Sequence, residues 1–323
     1  MKQFQGKMYL LGAFSLAGTS VITGNILTTK LSSFTITAFS LGIVLICLLP
    51  FYRTKTIQTI RMLTKSDWLM LLFQAIFGIF LFRTFLLFGV GLTSTMEAGI
   101  LTGTTPAITS VLAFLFLKEK LSGTTALGVC CTVTGIILLQ GIHILSAKFS
   151  VHHLLGNMLI ICAASSESTF NIISRKHRAS AQAESAIQIH PMVQTLLVSA
   201  VALALSIIPA LCERPLDSVS ALGWKEWLAV IWYGLVVTAL AFVFFYEGVK
   251  RCDAYTTAAF SGMIPLTSML LSLFLLKEKI GCAQLIGGFL VIFSMMLIGK
   301  NGRTRLDLTT TQPIKIRRTP WLH

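Results

Sequence analysis

The fold is decided by residues 94–128, STMEAGILTGTTPAITSVLAFLFLKEKLSGTTALG, because a related stretch follows 159 residues later. The second stretch, residues 253–288, reads DAYTTAAFSGMIPLTSMLLSLFLLKEKIGCAQLIGG. Aligned without a gap, residues 81–128 and 240–287 are identical at 12 of 48 positions, and the spacing from the proline to Lys-Glu-Lys is the same in both. Leucine-rich helices match by chance at about one position in ten. The number of identical positions above this chance level indicates an internal repeat.

Composition and length indicate an integral membrane protein. Of the 323 residues, 54% are hydrophobic and only 12% are charged, whereas soluble domains carry about 25% charged residues. A membrane helix of about 20 residues and its connection take roughly 30 residues, so the chain has room for about ten spans. Apolar runs predict these spans near residues 8–28, 33–52, 68–91, 95–117, 122–142, 154–174, 187–210, 225–247, 254–276 and 280–299. We therefore expect an all-α integral membrane protein with ten transmembrane helices.

The repeat divides the ten expected helices into two inverted five-helix halves. We expect residues 1–148 to form the first repeat, residues 149–299 the second, and residues 300–323 a basic cytoplasmic tail. Because five is an odd number, the second half enters the membrane in the opposite sense. Secondary transporters use inverted repeats to build two similar bundles around one binding site. The repeat therefore favours transport over a purely structural role.

The basic residues predict the orientation in the membrane. The net charge is +14, with 26 Lys and Arg against 12 Asp and Glu. With a cytoplasmic N-terminus, 19 of the 26 bases fall in inner segments and 6 in outer loops, as the positive-inside rule requires. We expect a multi-pass protein of the cell (inner or plasma) membrane with both termini in the cytoplasm. The bases then set the orientation, membrane lipids are expected partners that the basic tail could contact, and no nucleic-acid partner is expected.

The sequence lacks the motifs of common enzymes and metal sites. The seven cysteines are scattered without a CxxC or a His-rich pattern, so neither a disulfide framework nor a metal site is expected. HExxH, GxSxG and the GxxxxGK[ST] loop are absent, which argues against a hydrolase or an ATPase. We expect no enzymatic activity and no cofactor.

The repeated stretches resemble the EamA group of the drug/metabolite transporter superfamily. Their shared pattern is a small-residue helix, a mid-helix proline, an apolar run ending in a glutamate, and a glycine-containing helix. Residues 156–176, GNMLIICAASSESTFNIISRK, resemble the opening helix of the family's second domain, with Glu167 and Ser168 in place of the usual tryptophan-alanine pair. The arginine often found near the start of the second helix is absent. The resemblance covers about residues 8–299 and implies ten helices, cytoplasmic termini, a central cavity and export of small metabolites such as amino acids.

Arg83 is the first candidate for substrate binding. It lies several residues from either end of its predicted span, where a charged side chain costs at least roughly 2.5–3.5 kcal/mol. A guanidinium matches a carboxylate, so one interpretation is that Arg83 binds an anionic group of the substrate. The other is an internal ion pair with Glu97 on the next helix, at a depth that differs by roughly 6 Å. The two interpretations are compatible.

Glu167 is the second candidate. It lies in the middle of a span among hydroxyl and amide side chains, and Asn171 shares its helix face. A carboxylate within the membrane is a candidate for binding a substrate amine or carrying a coupling proton. The alternative is a protonated glutamate whose hydrogen bonds stabilise helix packing.

Prolines and neutral polar residues complete the predicted site. Thr104 and Thr105 flank Pro106 in the fourth predicted helix, and Pro265 is its counterpart in the ninth. Proline frees a backbone carbonyl that hydroxyl groups can satisfy, so the first interpretation is a bend and the second is a gate. Further candidates for the cavity, each of which a neighbouring helix could satisfy instead, are Asn25, Gln74 and Tyr246.

These features favour a secondary exporter that moves a small metabolite, such as an amino acid, by alternating access through a central cavity. Arg83 with Glu97 or Glu167 would offer opposite charges to a zwitterion. The alternative is efflux of lipophilic cations or drugs by proton antiport, with Glu167 as the exchangeable anion. Ten helices in two similar halves can enclose a cavity unaided, so we expect a monomer.

Overall fold

All regular structure in the described part of the chain is helical. The computed structural model describes residues 2–117, 122–145, 150–183, 189–215, 222–252, 260–277, 281–282 and 285–297. The expectation of an all-helical fold is confirmed for these residues. The predicted tail, residues 300–323, lies outside them.

In the described residues, the helices of the two halves follow one another in a similar order. The first half contains α1 (Lys2–Thr28), α2 (Ser33–Met62), α3 (Lys65–Ala75), α4 (Phe82–Val90), α5 (Thr95–Thr102), α6 (Thr105–Leu117) and α7 (Gly123–Leu145). The second half contains α8 (Val151–Ala183), α9 (Pro191–Cys212), α10 (Trp224–Ile231), α11 (Ala241–Arg251), α12 (Met263–Leu275) and α13 (Leu285–Leu297). The first π-helix, Ile76–Leu81, joins α3 to α4, and the second π-helix, Trp232–Leu240, joins α10 to α11. The two π-helices end 159 residues apart, which is the spacing of the sequence repeat.

Six helical segments in the described part of the chain are long and apolar enough to cross a membrane. They are Gln3–Thr28, Ser33–Met62, Lys65–Val90, Thr95–Phe116, Pro191–Cys212 and Trp224–Arg251. By contrast, α12 has 13 residues, or about 20 Å of helix, which is less than the roughly 30 Å of a bilayer core. The total of ten spans therefore stays a prediction.

Two helices extend beyond their predicted ends. The apolar run predicts that α2 ends at residue 52, but it continues to Met62. Likewise α8 continues past residue 174 to Ala183. Lys, Arg and Gln are good helix formers, so a helix can continue after its sequence stops being apolar, and hydropathy marks only its apolar part. After α2, Thr64 and Asp67 form a capping box that starts α3, with the Thr64 amide donating to the Asp67 carboxylate at 2.9 Å.

The predicted mid-helix prolines lie at the beginnings of helices instead. The fourth predicted span divides at Gly103 and Thr104 into α5 and α6, and Pro106 lies in the first turn of α6. Pro265 lies in the first turn of α12. The first turn of a helix has no intrahelical partner for a backbone N–H, so proline is tolerated there. These prolines therefore follow a break in the helix and do not bend a continuous one.

The two halves exchange their opening helices. Helix α1 packs against α11 and α12 of the second half, while α8, which opens the second half, packs against α4, α5 and α6 of the first. The second helices of the halves, α2 and α9, pack against each other, and α5 packs against α12. The packing of α1 on the second half thus corresponds to the packing of α8 on the first, as expected for a pseudosymmetric pair of repeats.

Glycines permit close contacts between helices of opposite halves. A Cβ atom on Gly99 in α5 would lie 2.3 Å from the hydroxyl oxygen of Ser268 in α12. A Cβ atom on Gly234 in the second π-helix would lie 2.4 Å from the carbonyl oxygen of Ser40 in α2. Small residues allow membrane helices to approach this closely. At Gly234 the approach is between backbones.

Glutamates at helix ends also join separate helices. The carboxylate of Glu213, just after α9, accepts hydrogen bonds from the amides of Phe34 and Thr35 at 3.3 and 2.8 Å. It also accepts from the Thr35 hydroxyl at 2.9 Å. Because the N-terminus of a helix attracts negative charge, Glu213 caps α2. Similarly, Lys30 after α1 pairs with Glu226 in α10 at 2.8 Å.

Candidate functional site

A cavity of about 100 Å³ is lined by residues of both halves. Its lining includes Phe14 of α1, Arg83 of α4, Glu167 and Asn171 of α8, and Tyr233 of the second π-helix. A single water needs roughly 10–15 Å³ on the same measure, so the cavity has room for a small solute. It brings together three of the residues predicted to bind substrate, Arg83, Glu167 and Asn171.

Arg83 is held by two hydroxyl groups and an aromatic ring. Its Nη1 donates to Ser40 Oγ in α2 at 2.8 Å, and its Nη2 donates to Thr238 Oγ1 in the second π-helix. Its Cζ lies 4.5 Å from the centroid of the Tyr233 ring, which is a cation–π contact. Among the described residues, no carboxylate forms an ion pair with this buried guanidinium. Within the described ranges, the guanidinium of Arg83 therefore donates to two neutral hydroxyl groups, and no carboxylate neutralises its charge.

The interpretation that pairs Arg83 with Glu97 is wrong. Glu97 Oε2 lies 2.8 Å from the Nε2 of His153 and accepts a hydrogen bond from the Asn157 amide at 3.0 Å, and both partners belong to the start of α8. Thr93 donates to the side-chain oxygen of the same Asn157. The sequence gives the depth of Arg83 and Glu97 in the membrane but not the rotation of their helices. Glu97 faces α8, so it joins the two halves away from the cavity.

Glu167 lies beside the beginning of a broken helix. Its Oε2 accepts a hydrogen bond from the hydroxyl of Thr105, the first residue of α6, at 3.0 Å. The next residue, Ser168, donates to the Thr105 carbonyl at 3.0 Å, which fixes α8 against the break. Helix N-termini stabilise anions, and transporters place the ends of discontinuous helices at their binding sites. No Lys or Arg in the described part of the chain pairs with Glu167.

Aromatic rings form much of the remaining lining. The ring centroid of Phe170 lies 6.4 Å from those of both Phe242 and Phe245. Tyr246 packs against Phe242 and Phe245 at 6.2 and 5.7 Å and does not itself line the cavity. The predicted site residue Tyr246 thus supports the aromatic lining from outside.

The other predicted polar residues also lie outside the cavity. Gln74 accepts a hydrogen bond from Gln194 at 3.0 Å, and the Asn25 amide donates to the carbonyl of Val90 at 3.5 Å. The hydroxyl of Thr104 donates to a backbone carbonyl at the end of α5, at 2.8 Å. Each of these side chains is satisfied within the helix bundle, which is the structural alternative that the sequence left open.

Three residues that surround Arg83 do not stand out in the sequence: Ser40, Tyr233 and Thr238. Each lies within an apolar run and belongs to no motif. The π-helix matters here, because the Thr238 hydroxyl donates to the carbonyl of Tyr233, five residues earlier, at 2.7 Å. A π-helical turn of this kind has no pattern that hydropathy reveals.

Metal ligands are not clustered in the described part of the chain. There, no group of three or more His, Cys, Asp or Glu side chains could hold a metal ion, and the seven cysteines are free thiols. Among the described lining residues, the acidic and basic side chains that can contact a solute in the cavity are Arg83 and Glu167.

Comparison with known proteins identifies one transporter family along the chain. The model of the EamA-like transporter family matches residues 5–141 and again residues 154–300. The chain is 32% identical over 302 residues to "Uncharacterized transporter YetK" of Bacillus subtilis (strain 168), which covers 90% of this chain and 87% of that protein. It is 23% identical over 223 residues to "Uncharacterized transporter YyaM" of the same organism, which covers 68% and 70%. A solved structure described as "Crystal structure of protein" matches with a TM-score of 0.62 at 20% identity, covering 94% of this chain and 98% of that one, so the two share a fold.

Proposed function

Because the chain belongs to the EamA-like transporter family, it is a multi-pass membrane transporter, and we propose that it exports small metabolites such as amino acids. Transport would be secondary, by alternating access through the cavity between the halves. Residues 1–148 and 149–299 would be the two inverted five-helix repeats of a monomer in the cell membrane, with both termini in the cytoplasm. The reciprocal packing of α1 and α8 supports this arrangement, because two similar bundles that share a cavity are the usual construction for alternating access.

One observation supports an amino-acid-like substrate. Arg83 and Glu167 line the same cavity with side chains that can carry opposite charges, and neither is the other's partner. A buried charge is costly unless it is paired, so a zwitterion is the small solute that best complements both groups. Its carboxylate would bind the guanidinium fork of Arg83, and its ammonium group would bind Glu167. The aromatic rings beside them would accept an apolar side chain.

The alternative function is efflux of lipophilic cations or drugs by proton antiport. It is favoured by the cavity lining, which contains Glu167 together with Phe170, Phe242 and Phe245, because aromatic faces and carboxylates both attract cations. Arg83 disfavours it, since its positive charge lies in the same cavity. Amino-acid export therefore requires Arg83, whereas cation efflux is hindered by it.

Flux measurements in liposomes test both functions. Purified protein is reconstituted with an interior pH dye, and the efflux of a panel of labelled amino acids is compared with that of a cationic dye. The variants are Glu167→Gln and Arg83→Gln. The matched controls are Glu226→Gln, which removes a carboxylate outside the cavity, and Arg61→Gln, which removes an exposed guanidinium.

Amino-acid export should require both Arg83 and Glu167, and the two control variants should transport as the wild type does. If the protein moves the dye, requires Glu167 and becomes faster without Arg83, the cation alternative is correct. If wild-type protein moves neither class of solute, both functions are refuted. Movement of protons together with the substrate, lost in Glu167→Gln, would identify Glu167 as the proton carrier.

A further inference from the structure

Arg83 joins the two halves of the protein at the wall of the cavity. It belongs to α4 of the first half and donates to Ser40 in α2 of the same half, but its second hydrogen bond goes to Thr238 in the second half. The Tyr233 ring that stacks on the guanidinium is also in the second half. The backbones of α2 and the second π-helix are in close contact beside this junction, at Gly234 and Ser40. Any change in the partners of Arg83 therefore acts directly on the contact between halves.

Both hydroxyl groups are neutral acceptors with a bond of their own. Ser40 donates to the carbonyl of Thr37 at 3.0 Å, and Thr238 donates to the carbonyl of Tyr233 at 2.7 Å. Each accepts one hydrogen bond from Arg83, but neither can neutralise its charge. A carboxylate can do both, through two parallel charge-assisted hydrogen bonds that are roughly twice as strong as neutral ones. A carboxylate entering the cavity would therefore compete for Nη1 and Nη2.

We infer that Arg83 is a latch between the two halves, closed on Thr238 when the cavity is empty and released by the carboxylate of the substrate. The inference rests on the proposed function, because it assumes a substrate with a carboxylate, and it assigns a further role to the same site. Thr238 is then a positioning residue that acts through Arg83. Ser40 belongs to the same half as Arg83, so its hydrogen bond to Nη1 does not connect the halves in either state of the latch.

The latch predicts a difference between two modes of transport. Net efflux requires the empty protein to reorient, whereas exchange of labelled for unlabelled substrate requires only the loaded protein to do so. A latch that closes in the empty protein stabilises one orientation of that state and slows its return. Exchange should therefore be faster than net efflux in the wild type. Removal of the latch should bring the rate of net efflux closer to the rate of exchange.

Thr238→Val tests the latch, because valine keeps the shape of threonine but cannot accept a hydrogen bond. Net efflux and exchange are measured in liposomes for the amino acid that moves fastest in the panel described above. We expect the ratio of net efflux to exchange to rise about tenfold, near the lower limit of what a hydrogen bond to a charged group contributes. Thr238→Ser, which keeps the hydroxyl group, should keep the wild-type ratio.

Thr195→Val is the matched control. Thr195 is also a buried threonine, but its hydroxyl donates to the Pro191 carbonyl of its own helix at 2.9 Å and contacts neither Arg83 nor the cavity. The ratio of net efflux to exchange in Thr195→Val should stay at the wild-type value even if this variant is less stable. An unchanged ratio in Thr238→Val, or an equal rise in Thr195→Val, overturns the latch while amino-acid transport stands. If the wild type moves no amino acid, the proposed function fails and the latch fails with it.

Discussion

Replacing Gly234 by alanine should separate α2 from the second π-helix. The added Cβ atom would lie 2.4 Å from the carbonyl oxygen of Ser40 and 3.2 Å from its carbonyl carbon, whereas ordinary contacts begin at 3.4 Å. The atoms that the Cβ would meet belong to the backbone of Ser40 and cannot rotate away. Helix α2 and the second π-helix must therefore move apart by about 1 Å. Overpacking of this kind costs about 1–3 kcal/mol.

Gly42→Ala provides the matched control within α2. A Cβ atom on Gly42 would meet nothing within 4 Å, so this variant gains the helix propensity of alanine, about 1 kcal/mol, without a clash. Gly234→Ala gains a similar propensity but pays the overpacking cost. The difference between the two variants therefore isolates the contact with Ser40 and should be about 1–3 kcal/mol.

The assay is unfolding in mixed detergent micelles, followed by tryptophan fluorescence, with the free energies of the two variants compared at the same detergent composition. Gly234→Ala should unfold at a lower denaturant fraction than Gly42→Ala. It should also weaken the 2.8 Å hydrogen bond from Arg83 to Ser40, because Ser40 moves with α2. If the two glycine variants unfold at the same midpoint, the backbones at Gly234 and Ser40 are not in contact.

Two further predictions concern glutamates outside the cavity. Glu213→Gln should cost about 1 kcal/mol of unfolding free energy, because it removes the negative charge at the N-terminus of α2; an unfolding curve that matches the wild type would show that Glu213 is not needed as a cap. Glu97→Ala should cost about 1–3 kcal/mol, because His153 and Asn157 lose a buried acceptor. In the Glu97→Ala background, Asn157→Ala should then lower the unfolding free energy by less than it does in the wild type. Equal losses in the two backgrounds would contradict an interaction between Glu97 and Asn157.

Much of the fold could be predicted from the sequence because helix formation in a membrane depends on local composition. An apolar run of sufficient length predicts a helix without any knowledge of its neighbours, and the repeat predicts that two halves share one arrangement. The helix ends were less predictable, as the extension of α2 to Met62 shows, since hydropathy reports the apolar part alone.

The candidate site could be predicted only in part. Arg83 and Glu167 stand out because a charge in an apolar run is costly and therefore informative. Their partners do not stand out, since Ser40 and Thr238 become neighbours of Arg83 only when α2, α4 and the second π-helix pack together. The Glu97 pairing was predicted wrongly for the same reason: residues at a similar depth can face different helices.

The exchanged packing of α1 and α8 has a consequence for synthesis of the chain. Helix α1 is complete at Thr28, but its partner α11 begins at Ala241. At about 5–20 residues per second, the ribosome needs roughly 10–40 s to make the intervening chain. Until then α1 lies in the bilayer without α11 and α12, although its contacts with α4 and α5 can already form. The packing of α1 is therefore completed late, and a chain that stops after the first half lacks the contacts of its first helix with α11 and α12.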